Sequence, residues 1–103
     1  MMSSQVEIWP PPRLIRAARA MIGIDQSDLA QQAGVTRQAV IKIEADAGTH
    51  MDPRRLRVLR ELQRVFEDNY GVQFLPETEH WGEGIRFKSG RIAVELRENK
   101  NTN

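Results

Sequence analysis

Apolar positions along this chain recur at helical period in four stretches and then, past Val72, alternate. The first stretch predicts a helix from Pro12 to Ile22, with Leu14, Ala17, Ala18 and Met21 as its inner stripe. Pro12 suits a first turn, where its missing donor costs nothing, and Gly23 closes the element. The second begins at Asp25, an N-cap, with Asp28 placed against the positive helix end. Leu29 and Ala33 line one face with Ala30 beside them, and Gly34 stops the helix. Thr36 can cap the third, over residues 36–45, whose apolar positions are Val40 and Ile43. Asp52 and Pro53 open the fourth, which runs to about Asn69 and carries two stripes. One is Leu56, Leu59, Gln63 and Phe66; the other is Val58, Leu62 and Val65.

Alternation then replaces the helical period. Residues 72–75 read as a strand, and residues 76–84 as a polar loop containing Trp81. Residues 85–88 and 91–96, joined by Ser89-Gly90, read as a β-hairpin. In that register Phe87 opposes Ile92 and Ile85 opposes Val94. Residues before Pro10, Pro11 and Pro12 show no period. The expected division is an extended arm over 1–11, a helical domain over 12–71, a β-segment over 72–97 and a polar, flexible tail over 98–103.

The third helix has a divided surface, and this is where chemistry enters. With Val40 and Ile43 turned inward, Arg37, Gln38, Ile41 and Lys42 occupy the other side. Arg and Gln reach base edges bidentately, Lys reaches guanine or phosphate, and an apolar Ile41 suits a thymine methyl. Partial burial at the edge of the core is the other account of Ile41. Within residues 26–45 a small residue, a glycine and an apolar residue stand at positions five, nine and fifteen, as Ala30, Gly34 and Val40. Ala30 lets two helices cross closely.

This stretch resembles the helix-turn-helix of the Xre and lambda-repressor-like family, and residues 16–23 share a first-helix pattern common there. The resemblance implies a mainly α fold, a bundle of about four helices, here with a small C-terminal β-segment. It implies that Gln26 contacts a phosphate at the start of the second helix, with Thr36 positioning the third in the same way. It also pairs Arg19 with Glu44, read here as a structural ion pair between the first and third helices. After Glu44 the chain departs from the family: Asp46 stands where glycine is common and the loop is about one residue longer, so no phosphate contact is assigned to it. Arg54, Arg57, Arg60 and Arg64 form a row read as a solvated face whose first turn could touch DNA backbone.

Composition narrows the class. A chain of 103 residues supports one modest core, and without cysteine it has neither disulfides nor a thiolate metal site. No apolar run approaches membrane-spanning length and no signal-peptide pattern is visible, so a cytoplasmic location away from membranes is expected. The net charge is only +1, but residues 1–64 carry ten Lys and Arg against seven Asp and Glu, while the remainder carries five against seven. The basic half holds the helix pair, as a phosphate-facing surface requires. His50 and His80 lack partners at metal-ligand spacing, and no nucleophile, base and orienting group stand together. Neither a metal, a cofactor nor an enzymatic activity is expected.

The expected function is a transcriptional regulator, a repressor, that inserts residues 36–45 into the major groove of a double-stranded operator as a homodimer. Val58, Leu62 and Val65 with Ile85, Phe87, Ile92 and Val94 would build the dimer contact, or would cover one another within one chain. The alternative function is a protein-interaction module, an antiactivator or antitoxin that blocks a regulator or toxin.

Overall fold

The computed structural model of the protein describes residues 8–88. Three of the four helices start on side-chain caps that relieve otherwise unpaired amide donors. Helix α1 spans Pro12–Ile22 and enters from an extended Pro11. Helix α2 spans Gln26–Ala33, with Asp25 Oδ1 accepting the Asp28 N–H at 2.7 Å. Helix α3 spans Arg37–Ala45, with Thr36 Oγ1 accepting the Ala39 N–H at 3.0 Å. Helix α4 spans Pro53–Arg64, capped by Asp52, whose Oδ1 accepts the Arg55 N–H at 2.9 Å. It widens into a π turn over Val65–Asn69. Two antiparallel strands follow, β1 over Val72–Leu75 and β2 over Gly84–Phe87. The result is a mainly α helix-turn-helix bundle with a small hairpin.

The core gathers Ile15 and Ala18 of α1, Leu29 and Ala30 of α2, Val40 and Ile43 of α3, and Leu59, Leu62, Val65 and Phe66 from α4 and its π turn. Two stripes differ from the sequence reading. In α1 the buried arc runs through Leu14, Ile15 and Ala18, with Ile22 packed beside it, while Met21 is 38 % exposed. At 100° per residue Met21 falls roughly 70° from the middle of that arc, just past its edge. In α4 the separate stripes merge: Leu59, Leu62, Val65 and Phe66 are all buried, whereas Leu56 and Val58 are half-buried. The π turn has more residues per turn than an α-helix, which suits the burial of adjacent Val65 and Phe66.

Strand β1 turns Val72 and Phe74 into the core, where Phe74 meets Phe66 edge-on at 6.0 Å between ring centres. Val72 lies opposite Phe87 and Phe74 opposite Ile85; Gln73 and Arg86 pair on the outer face through a 2.9 Å hydrogen bond. The partner of β2 among the described residues is thus β1. The expected turn Ser89-Gly90 and strand 91–96, with Ile92 and Val94, lie outside the described residues, as do the tail and all of the arm before Ile8.

Candidate nucleic-acid interface

A helix can read a surface only if its own position is fixed, and α3 is held along its length. Leu29 and Ala30 of α2 pack with Val40 and Ile43, all at most 4 % exposed. Between the helices Gly34 adopts φ +70°, and the N–H of Val35 reaches back to the Ala30 carbonyl at 3.0 Å. This left-handed residue reverses the chain within a few positions and sets the angle between α2 and α3.

The far end of α3 is held by charge. Glu44, only 5 % exposed, accepts Arg19 Nε at 2.7 Å and Nη2 at 3.0 Å on its two carboxylate oxygens. Gln26 Nε2 donates to the same carboxylate at 3.1 Å, and Arg19 Nη1 reaches the Ile24 carbonyl at 3.2 Å. The Glu44 hydrogen bond is the largest cause raising the Arg19 guanidinium above its ordinary value, against an opposing effect of partial burial. Arg16 Nη1 donates to the backbone carbonyl of Glu44, one of the α3 carbonyls that lack an intrahelical partner. Three polar side chains from α1 and α2 therefore meet at one residue of α3.

The loop after α3 has its own clasp. Asp46 Oδ1 accepts the Gly48 N–H at 2.8 Å and Oδ2 accepts Arg55 Nη1 at 3.2 Å. The Asp46 carboxylate thus ties the loop to the first turn of α4. Gly48 has φ +82°, and a Cβ there would lie 3.1 Å from Pro12 Cδ, so the loop also presses on the start of α1.

With these attachments the outer side of α3 is free. Arg37, Gln38 and Lys42 are exposed, Thr36 is exposed at the cap, and Ile41 is half-buried beside them. Arg37 shares one groove with Asp25, Gln26, Ser27 and Arg19, at the start of α2. On the opposite side, Thr36, Gln38 and Lys42 share a groove of about 350 Å³ with Asp52, Arg54, Arg55 and Val58 of α4. Guanidiniums and carboxylates thus border α3 on both sides; Arg19 and Arg55 are ion-paired to Glu44 and Asp46, and Arg37 and Arg54 have no ion pair among the described residues. The amino ends of α2 and α3 add partial positive charge beside the exposed donors of Arg37, Gln38 and Lys42.

Residues predicted from sequence thus fall into groups. Arg37, Gln38, Ile41 and Lys42 share α3, with Thr36 at its start and Gln26 a helix away; Arg19 and Glu44 are bonded behind them. The residues assigned to a contact between chains separate. Leu62 and Val65 are buried in the chain's own core, as in the intrachain alternative, whereas Ile85 and Phe87 are half-buried against it. Val58 stays half-buried beside α3. Arg16, Asp46 and Arg55 were missed. Arg16 stands one turn before Arg19 on α1, and that spacing was the available signal. Among the described residues no three His, Asp or Glu side chains are grouped to hold a metal ion, and no helix is long and apolar enough to cross a membrane.

Residues 15–63 match the family model described as Helix-turn-helix, which covers α2, α3 and most of α1 and α4. No curated protein matches the chain.

Proposed function

Because residues 15–63 are a helix-turn-helix domain of the Xre and lambda-repressor-like family of DNA-binding regulators, we propose that this protein is a sequence-specific repressor. Helix α3 lies in the major groove of an operator. Arg37, Gln38 and Lys42 meet base edges, and Ile41 meets a thymine methyl. Thr36 and Gln26 bind phosphate: the Thr36 hydroxyl still has its proton to donate, and the Gln26 amide has a second N–H beyond the one given to Glu44. The observation that carries this reading is the exposed Arg37, Gln38 and Lys42 row on a helix whose other side and far end are fixed by packing and by Glu44. The protein acts as a homodimer, which places two reading helices about one DNA turn apart on paired half-sites. Residues 12–71 act as the binding unit and residues 72–97 as an appended β-segment.

A second reading, a protein-interaction module that blocks a regulator or toxin, is favoured by the net charge of only +1. Titration of random duplex at rising salt separates the two. Phosphate binding releases counterions and must weaken steeply with salt. Retardation of duplex with that salt slope is expected; no retardation at low salt would reject the DNA reading in favour of the protein module.

A further inference from the structure

Two surfaces are unused by the reading above, and they complement each other. The first is the back of α4, where Pro53 and half-buried Leu56 line a shallow groove of about 300 Å³ with Arg57, Arg60, Glu61 and Arg64. Arg64 is bonded to Glu61, but Arg57 and Arg60 have no hydrogen bond or ion pair among the described residues. At 100° per residue this row stands roughly 130° round the helix from Arg54, Arg55 and Val58, which border α3. It is not the side that a duplex seated on α3 would meet.

The second surface is the loop over residues 76–83. Thr78 gives it a defined shape: its N–H donates to the Trp81 carbonyl at 2.8 Å, and its Oγ1 accepts the Trp81 N–H at 3.0 Å and the His80 N–H at 3.3 Å. Trp81 is thereby held out into solvent at 76 % exposure, the most exposed large apolar side chain among the described residues. Glu77 and Glu79 are exposed beside it and have no ion pair among those residues. Two unpaired carboxylates repel a phosphate backbone, so this indole is no platform for nucleic acid.

We propose that the Trp81 loop of one copy docks in the Arg57 and Arg60 groove of a second copy, and that this contact, made twice, forms the two-fold dimer. The proposal rests on the homodimer reading given above. The occupant follows from complementarity. The groove offers half-buried Leu56 with two guanidiniums that are unpaired among the described residues, and the loop offers an exposed indole with two carboxylates that are unpaired among them. Guanidiniums stack on indole faces and bind carboxylates. Among the described residues both surfaces stay open, and a contact between two copies lets each contribute one loop and one groove.

The test is sedimentation equilibrium of the full chain and two charge variants, Arg57→Glu/Arg60→Glu and Glu77→Lys/Glu79→Lys. Wild type is expected to dimerise, and each variant alone to be monomeric at concentrations where wild type is dimeric. An equimolar mixture of the two variants should dimerise again, because every groove then faces a loop of opposite charge. Urea midpoints check that both variants fold; if either does not, Trp81→Ala decides, a monomer supporting the contact and a dimer overturning it. Variants that dimerise like wild type overturn this contact and leave the homodimer reading standing. A wild type that stays monomeric, free and on operator, overturns both. Undiminished dimerisation of Arg57→Glu/Arg60→Glu with weakened binding to random duplex would assign the row to phosphate instead.

Discussion

Arg19 presents Nε and Nη2 to the two carboxylate oxygens of Glu44, a fork-to-fork pair that fastens α1 to the last turn of α3. Glu44 is buried while Arg19 is about a quarter exposed, so deleting the carboxylate strands a partly buried guanidinium. Glu44→Ala should cost about 3 kcal/mol, the low end for breaking a buried pair. Urea midpoints should fall while base preference on selected operator variants is unchanged. A normal midpoint with altered preference would place Glu44 at the DNA.

Arg37→Ala and Gln38→Ala remove exposed side chains near the start of α3 that make no contact required by the core. Each should weaken specific operator binding by about 1–3 kcal/mol and leave the urea midpoint in place. Titration with the preferred operator measures this. Wild-type affinity in both variants would remove them from the base-reading set.

The Asp52 carboxyl lies below its ordinary value, chiefly because it accepts the Arg55 N–H, with the nearby Arg55 charge adding to the effect. A carboxyl depressed on folding stabilises fully above its unfolded value and loses that contribution as pH falls through its folded value. Asn caps without titrating. Asp52→Asn should therefore flatten part of the acid limb in a plot of urea midpoint against pH, with little change near neutrality. An unchanged acid limb would show that this cap contributes nothing to acid unfolding.

Gly34 and Gly48 both sit at positive φ, yet their surroundings differ. A Cβ on Gly34 meets nothing within 4 Å, whereas one on Gly48 lies 3.1 Å from Pro12 Cδ in a buried proline. Gly34→Ala should cost about 1 kcal/mol, the backbone term alone. Gly48→Ala should cost more, since the ring of Pro12 or the loop must shift as well. Equal losses in thermal unfolding would mean that the loop yields freely.

The caps and the turn were legible because each is a local event: Asp25, Thr36 and Asp52 bond amides three residues ahead, and Gly34 needs only its own backbone. The partner of β2 was not, because residues 72–75 and 91–96 alternate alike and pattern alone cannot rank two candidate neighbours. The pattern leaves Leu62 and Val65 two places, a second copy or their own chain, for a related reason. A second apolar stripe on α4 looks surplus until the π turn and β1 are present to cover it. On α3 the split between inward Val40 and Ile43 and outward Gln38 and Lys42 followed from period alone. That Gln26 bonds Glu44 did not, because nothing local relates residues that lie 18 apart.

The Asp46 clasp on Arg55 and the Arg16 bond to the Glu44 carbonyl hold the end of α3 before any ligand arrives. Docking such a helix sacrifices little backbone freedom, so the loss on binding is confined to side chains such as Arg37 and Lys42. The heat-capacity change on operator binding should accordingly match rigid surfaces meeting, without the added increment that accompanies folding of a disordered segment.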